Sequence, residues 1–282
     1  MKVKHKKYDL AGLLFVLPSL IGVSIFLIIP FADVIRRSFL GAVNEAFVGI
    51  KNYQMIFNNG AFILATKNTL RFTAVCIPLL LVLSLFIAVF LSGQKRLGSF
   101  LKSTFLVPMA IPVASVVLLW RLLFHNSGLI NGLLDVAGLE GTNWMDSKYA
   151  FWILVFSYIW KNLGYDIVLW MAGLAGISAE IYEAARVDGA GNIQCFFKIT
   201  LPNLLPSLYT ITVLSFLNSF KVFREAYLVA GDYPHESMYL MQHLFNNWFR
   251  ELSLDKMAAA AVINALVIFL LVMILKRAWS KE

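Results

Sequence analysis

Long apolar runs, separated by short polar segments, are the main feature of the chain. A helix needs about 20 apolar residues to cross the hydrocarbon core of a bilayer. Two runs without any charged residue, 10–32 and 72–92, meet this length. Four further runs carry few or no charges, and they are 103–124, 149–175, 203–230 and 257–275. The pattern predicts six transmembrane helices, with residues 1–282 forming a single all-α integral membrane bundle.

Two of the predicted helices contain charged side chains, which are Lys161 and Asp166 in the fourth and Lys221, Arg224 and Glu225 in the fifth. A charged group in hydrocarbon is costly unless it faces protein or water, so these two helices are where we expect function. Asp166 has two possible roles. It either forms an ion pair, with Lys161 or across helices with Arg121, or it contacts a substrate. The three charges of the fifth helix either form an outer gate or reach interfacial water.

The composition supports a membrane protein and argues against a soluble one. Sixty per cent of the residues are hydrophobic and 14% are charged, whereas about 25% are charged in an average soluble domain. The formal charge of +8 comes from Lys and Arg residues in short segments between the apolar runs. No basic and aromatic motif typical of a nucleic-acid module accompanies them, so we expect no nucleic-acid partner.

The basic residues also predict the orientation of the bundle. Lys and Arg are concentrated before the first helix, in the loops after the second and fourth helices, and after the sixth. In a six-helix bundle these segments share one side, and an excess of Lys and Arg marks the cytoplasmic side. Arg36 and Arg37, just after the first helix, run against this rule. The overall distribution predicts that both termini are cytoplasmic.

The longest predicted cytoplasmic connection, residues 176–202, is unlike an ordinary linker. Ser178 is suited to cap a short helix, and Gly189 is suited to end it with a positive φ. The positions between them that recur at helical spacing are Ile181, Ala184, Ala185 and Asp188. Small residues allow close approach of a partner, and Glu183 offers that partner a negative charge. We expect a short docking helix here.

The same loop resembles the EAA signature of binding-protein-dependent ABC importer permeases. The residues at the family's spacing are Glu183, Ala184, Ala185, Gly189, Ile199, Leu201 and Pro202. In that family the loop forms a coupling helix that sits in a cleft of an ATPase subunit. The resemblance implies this coupling role for Ile181, Glu183, Ala184, Ala185, Asp188 and Gly189. Residues 47–53 and 108–112 also resemble this family, and the chain is most similar to its sugar branch, which includes the maltose and glycerol-3-phosphate permeases.

The resemblance implies a complex that supplies what this chain lacks. Its expected partners are a second permease subunit in a heterodimer, two cytoplasmic ATPase subunits and an extracytoplasmic solute-binding protein, in a bacterial cell membrane. The sequence contains no Gly-x-x-x-x-Gly-Lys-[Ser/Thr] phosphate loop, so ATP and Mg are expected on the ATPase subunits and no cofactor on this chain. No catalytic or metal-binding pattern is present in the sequence either.

Polar residues within the predicted helices are the candidates for binding substrate near the middle of the bilayer. They are Asn162, Tyr165, Ser215, Asn218, Ser219 and Asn264. Their hydroxyl and amide groups suit a neutral polyol, and the resemblance to the maltose permease places Tyr165, Ser215, Asn218 and Ser219 near sugar contacts. The alternative is that the two serines and Asn218 only join helices by hydrogen bonds, as in many bundles.

A second function remains open from the residues alone. Asp166 is a carboxylate within a predicted membrane helix, which is typical of an ion-coupled secondary transporter. That hypothesis leaves the EAA loop unexplained. The favoured hypothesis is therefore a permease that moves a sugar or oligosaccharide, driven by ATP hydrolysis in separate subunits.

Overall fold

The computed structural model describes residues 6–93 and 97–279. Some of the basic residues that predict the orientation, Lys2, Lys4, Lys95, Arg96 and Lys281, lie outside these ranges. Within them, an isolated bridge between Leu40 and Phe47 is the only β-structure, and all the other regular elements are helices. The prediction of an all-α protein is confirmed.

Up to six of the described helical stretches have the length and composition to cross a membrane. Four do so singly, and they are Gly12–Arg37, Gly60–Ser92, Val113–Val136 and Leu254–Arg277. Two more arise if each bent pair is one span: Ala150–Ala175 with Ala179–Val187, at 66°, and Asn192–Asn203 with Leu205–Ala230, at 64°. The bends fall on either side of the predicted docking loop.

Two compact units make up the chain, and the smaller combines Met1–Asn59 with Asn247–Phe269. Its helices are α1 (Lys6–Val23), a π-helical turn (Ser24–Ile28), α2 (Ile29–Arg37) and α3 (Lys51–Phe57). The amide of Asn52 on α3 donates to the backbone oxygens of Ser38 and Leu40, at 3.0 and 2.7 Å. These two bonds hold the loop after α2 against α3.

The larger unit combines Gly60–Asn246 with Leu270–Glu282. Its helices are α4 (Gly60–Ser92), α5 (Leu97–Ala110), α6 (Val113–Phe124), α7 (Leu129–Val136), α8 (Ala150–Ala175), α9 (Ala179–Val187), α10 (Asn192–Cys195), α11 (Leu201–Asn203), α12 (Leu205–Ser219) and α13 (Phe223–Ala230). A π-helical turn (Phe196–Thr200) joins α10 to α11, and a 3-10 turn (Phe220–Val222) joins α12 to α13. The last two helices, α14 (Met241–Arg250) and α15 (Leu254–Trp279), each run from one unit into the other.

The third predicted span, 103–124, differs from a single helix in the structure. α5 ends at Ala110 and α6 begins at Val113, with Pro112 extended between them at ψ 142°. A proline has no N–H to donate and pushes the residue before it, here Ile111, out of the helical region. The helix therefore breaks at this point. Pro78, by contrast, lies within the continuous helix α4.

α8 is the centre of the larger unit and packs against α4, α5 and α12. Polar side chains join it to three neighbours: Trp170 Nε1 donates to Ser84 Oγ on α4 at 3.0 Å, Trp120 Nε1 on α6 donates to Ser157 Oγ at 2.9 Å, and Tyr158 Oη donates to the Ser215 backbone oxygen on α12 at 2.6 Å. Packing and such hydrogen bonds hold helices together in lipid, where burial of apolar surface gives little gain. α8 is thereby fixed in register with both α4 and α12.

Candidate functional site

The loop after α8 forms the short helix that its sequence predicts. Ser178 precedes α9, and its Oγ accepts a hydrogen bond from the backbone N–H of Glu180 at 3.3 Å. A hydroxyl in this position satisfies one of the free N–H groups of the first turn. At the other end Gly189 has φ +82°, and the N–H of Ala190 donates to the Ala185 oxygen at 2.8 Å. The predicted helix, its cap and its glycine turn are confirmed.

Most side chains of α9 are exposed, while Ala185 is half-buried. The exposed ones include Ile181, Glu183, Ala184, Arg186 and Val187, and Asp188, which follows the helix, is exposed as well. Val187 is 88% exposed, although it is a large apolar residue. α9 thus leaves two large apolar side chains, Ile181 and Val187, exposed on its surface.

One hydrogen bond connects α9 to the membrane helix that follows it. The hydroxyls of Tyr182 and Thr200 lie 2.8 Å apart, and Thr200 is buried at the end of the π-helical turn that leads into α11. Thr200 also donates to the backbone oxygen of Cys195 at 3.4 Å. α9 is thus joined to the start of the fifth span by a polar contact as well as by the chain.

Further along the larger unit, a cavity of about 160 Å³ opens among α5, α6, α8 and the segment from α12 to α13. Its lining residues are Met109, Val113, Ser157, Tyr158, Lys161, Asn162, Asn218, Lys221, Val222, Arg224 and Glu225. Four of these residues belong to α8, namely Ser157, Tyr158, Lys161 and Asn162. Because Lys161 and Asn162 follow Ser157 and Tyr158 after four residues each, all four lie on one helical face. Charged and amide side chains dominate the polar part of the wall.

One polar contact in this wall is an ion pair between helices. Lys161 Nζ on α8 lies 2.6 Å from Glu225 Oε1 on α13. The Lys161 side chain is 18% exposed and that of Glu225 only 7%, so both are largely withdrawn from solvent. The second carboxylate oxygen, Oε2, has no hydrogen-bond partner among the described residues.

Asp166 has a different partner from those considered for it. Ser215 Oγ on α12 donates to Asp166 Oδ2 at 2.8 Å, and the carboxylate is fully buried. Lys161 pairs with Glu225 instead, and Arg121 Nη2 donates to the Leu228 backbone oxygen at 2.9 Å. Both ion pairs considered for Asp166 are therefore wrong. Asp166 is also absent from the lining of the cavity.

Comparison with known proteins identifies the family. The protein-family model named binding-protein-dependent transport system inner membrane component matches residues 69–281 of this chain. The chain belongs to this family. It is accordingly a multi-pass inner-membrane permease of an ABC importer and carries no ATPase domain of its own. Membership of this family argues against the alternative function, an ion-coupled secondary transporter that uses Asp166.

A sequence relative and two solved structures agree with the assignment. The trehalose/maltose transport system permease protein MalF of Thermococcus litoralis is 31% identical over 239 residues, which is 83% of this chain and 81% of the relative. A bacterial ABC transporter that imports the acidic polysaccharide alginate matches with a TM-score of 0.82 at 22% identity, over 98% of this chain and 96% of its own. The alginate transporter in complex with an alginate pentasaccharide-bound periplasmic protein also has a TM-score of 0.82. It is 23% identical, and the match covers 98% of this chain and 97% of the other. The two structures show that the fold is the same.

The structure brings together only some of the six candidate substrate residues. Asn162 and Asn218 line the cavity. Ser215 and Ser219 are buried and bonded within the protein, to the Asp166 carboxylate and to the Phe216 backbone oxygen. The other two candidates, Tyr165 and Asn264, are half-buried, outside the cavity lining. Asn264 belongs to the smaller unit.

Ser157 and Tyr158 line the cavity, and sequence reasoning missed them. Both are polar residues of α8 and share a helical face with Lys161 and Asn162. That spacing was a signal in the sequence, but a serine and a tyrosine in an apolar run are common in any membrane helix. Met109 and Val113, on either side of the break at Pro112, carried no signal because they are ordinary apolar residues.

Proposed function

We propose that this permease carries a carbohydrate across the membrane, as one half of a heterodimer with a second permease subunit. The carbohydrate is delivered by an extracytoplasmic solute-binding protein. Two cytoplasmic ATPase subunits bind ATP and Mg and drive the cycle. Both termini of the chain lie in the cytoplasm. The observation that carries the proposal is the exposed helix α9, connected through Tyr182 and Thr200 to the membrane helices that line a polar cavity.

The substrate class is supported by the relatives and by the cavity. The relative from Thermococcus litoralis transports trehalose or maltose by name, and the solved transporters import alginate. The amides of Asn162 and Asn218 offer a donor and an acceptor each, which suits the hydroxyls of a sugar. These relatives include an acidic polysaccharide, so they leave the charge of the substrate open.

A second permease subunit is supported by the size of the cavity. Pockets for small ligands usually have volumes of about 300–1,000 Å³. The cavity in this chain has about 160 Å³, which is too small for an oligosaccharide. A heterodimer would complete the site with residues from the facing subunit. The remaining candidates, Tyr165, Ser215, Ser219 and Asn264, then act in positioning the helices or at parts of the pathway outside this cavity.

Coupling to the ATPases is assigned to Ile181, Glu183, Ala184, Ala185, Asp188 and Gly189. Ile181 and the alanines present an apolar surface to a cleft, and Glu183 faces outward for a Lys or Arg of the ATPase. Gly189 has φ +82°, where a side chain costs about 1–2 kcal/mol. It therefore sets the direction in which the chain leaves α9. Asp188 ends the helix.

The test compares coupling variants in the complete importer, coexpressed with both ATPases and the binding protein. We expect Glu183→Ala and Gly189→Ala each to lower co-purification of the ATPases and ATP-dependent uptake by about tenfold. Gly191→Ala is the matched control, because Gly191 lies two residues away at φ −75° with no atom within 4 Å of an added Cβ. If the ATPases bind equally well to all four proteins, α9 is not the coupling helix.

A further inference from the structure

The cavity of the larger unit is positively charged. Its lining contains three cationic side chains, Lys161, Lys221 and Arg224, and one carboxylate, Glu225. The ion pair of Lys161 with Glu225 cancels one charge of each sign. Two positive charges are left over at a site whose other polar residues are neutral. A neutral polyol, which the serine and asparagine residues alone suggested, gives no reason for this excess.

Neither of the two remaining cations is paired with an acid in the described part of the chain. Lys221 Nζ donates to the Asn218 amide oxygen at 2.7 Å, and an amide accepts without neutralising the charge. No hydrogen bond or ion pair engages the Arg224 guanidinium in residues 6–93 and 97–279. Both side chains are exposed and are three residues apart, so they lie on the same side of the helical segment. Together they form a basic mouth to the cavity, defined by Lys221 and Arg224.

Deeper in the cavity, the Lys161 and Glu225 pair offers groups of the kind that bind hydroxyls. Glu225 Oε2 is buried with no partner among the described residues, and a buried charged oxygen without a hydrogen bond is unfavourable. A hydroxyl donor entering the cavity satisfies it. Lys161 and Asn162 lie beside it on α8. The site thus combines a polyol-binding end with an anion-binding end.

We propose that the transported carbohydrate is acidic, with its acid group bound by Lys221 and Arg224 and its hydroxyls by Glu225 and Asn162. This inference rests on the proposed function, because it names the charge of the substrate of that site. Arg presents a planar fork that matches a carboxylate or phosphate, and Lys adds a second charge. Such contacts both attract the acidic sugar and discriminate against a neutral one.

Two other sources of negative charge make different predictions. A phospholipid headgroup placed at the basic mouth makes the effect of Lys221 and Arg224 depend on anionic lipid. An acidic residue of the second permease subunit makes it depend on assembly of the heterodimer. Only an acidic substrate makes the effect depend on the acid group of the transported molecule.

The first experiment identifies the imported molecule. Cells expressing the complete importer are given a mixture of digalacturonate, alginate disaccharide, sugar phosphates and neutral disaccharides, and their contents are measured by mass spectrometry. We expect ATP-dependent import of an acidic compound. If only a neutral carbohydrate enters, the inference is wrong while the proposed function stands. If no carbohydrate enters and another solute does, the proposed function itself is wrong.

The second experiment tests the residues in proteoliposomes containing the whole complex. The acidic substrate is compared with its methyl ester or, for a phosphate, its dephosphorylated form. We expect Arg224→Gln and Lys221→Gln each to lower the ratio of acidic to neutral uptake by about tenfold, and Arg224→Lys to recover part of it. Lys67→Gln, on α4 and outside the cavity lining, is the charge-matched control and should leave the ratio unchanged.

The lipid and subunit explanations are separated in the same preparation. Proteoliposomes made only of phosphatidylcholine should retain the full effect of Arg224→Gln on the ratio. If the effect disappears in them and returns with phosphatidylglycerol, the basic mouth binds lipid and the inference fails. It fails as well if the variants lower recovery of the second permease subunit while the ratio stays that of the unmodified protein.

Discussion

At the scale of single residues, the stability of the fold depends on a few positions that are closely packed on all sides. Gly164 on α8 lies against the backbone of Phe105 on α5, and a Cβ at this position would collide with the Phe105 carbonyl group. His243 on α14 is fully buried between the rings of Phe223 and Tyr239. Each of these two residues supports a prediction about the stability of the protein rather than about transport.

Gly164→Ala should destabilise the protein because the added methyl group separates α5 from α8. Overpacking of this kind costs about 1–3 kcal/mol, and here the obstacle is backbone, which cannot rotate away. The melting temperature of the purified protein in detergent measures the effect. Gly132→Ala in α7 is the control, since an added Cβ there has no atom within 4 Å and alanine favours a helix. Equal melting temperatures for both variants would contradict the close approach.

His243 should make stability depend on pH. Burial lowers the pKa of His243 to about 4, although the charge of Asp232 acts to raise it. The unfolded chain, with an ordinary histidine pKa of about 6.5, therefore binds more protons between these two values. The contribution of neutral His243 to the free energy of unfolding is fully present above about pH 6.5. It falls as the pH is lowered below this value, by up to about 1.4 kcal/mol per pH unit.

The measurement is the thermal unfolding of the protein and of His243→Asn across this pH window. His243 Nδ1 accepts a hydrogen bond from the Leu240 N–H at 3.1 Å, and an asparagine oxygen can take over as an acceptor that does not titrate. We expect the variant to lose the histidine part of the slope. A slope identical to that of the unmodified protein would show that His243 is not neutral in the folded state.

At the scale of elements, helices are defined by local sequence and then connected by single contacts. α9 is capped by Ser178 and ended by Gly189, so its limits follow from residues within it or next to it. Its connection to the fifth span, however, is the contact between Tyr182 and Thr200, which are 18 residues apart. If an ATPase binds α9 as we propose, this contact and the intervening chain are the routes by which its movement reaches the fifth span.

Tyr182→Phe should weaken transmission while leaving α9 formed. Loss of one hydrogen bond of about 0.5–1.5 kcal/mol corresponds to roughly a fivefold loss of uptake per assembled importer. ATP-dependent uptake and ATPase co-purification are measured together, and only the first should fall. Thr200→Val removes the same bond and also the bond of Thr200 to the Cys195 backbone oxygen, so the double variant should be no worse than Thr200→Val alone. Additive losses would indicate two separate roles.

At the scale of the whole molecule, the distribution of basic residues predicts the orientation of the bundle, with both termini in the cytoplasm. Cys76 and Cys195 are both buried, so the unmodified chain has little reactive thiol on its surface. We expect a membrane-impermeant maleimide to label Glu140→Cys, in the loop after α7, in intact cells. Asn192→Cys, at the start of α10, should be labelled only after permeabilisation. The opposite result would place the termini outside the cell.

The sequence by itself determined the features that depend on neighbours along the chain. The apolar runs predicted the helical membrane fold, because a span must satisfy its own backbone. Ser178 and Gly189 predicted the limits of α9, because capping acts within one turn. The resemblance of the same loop to the EAA signature predicted the family, which the match over residues 69–281 confirmed.

Only the tertiary structure decided which polar residues within the spans meet. Lys161 is five residues from Asp166 and 64 from Glu225, yet it pairs with Glu225 because α8 and α13 face each other there. Ser215 was a candidate for binding substrate, but the rotation of α12 buries it against Asp166. Helical periodicity assigns residues to a common face of one helix. It does not say which way that face points or how far neighbouring helices slide, and these are set by packing between residues distant in sequence.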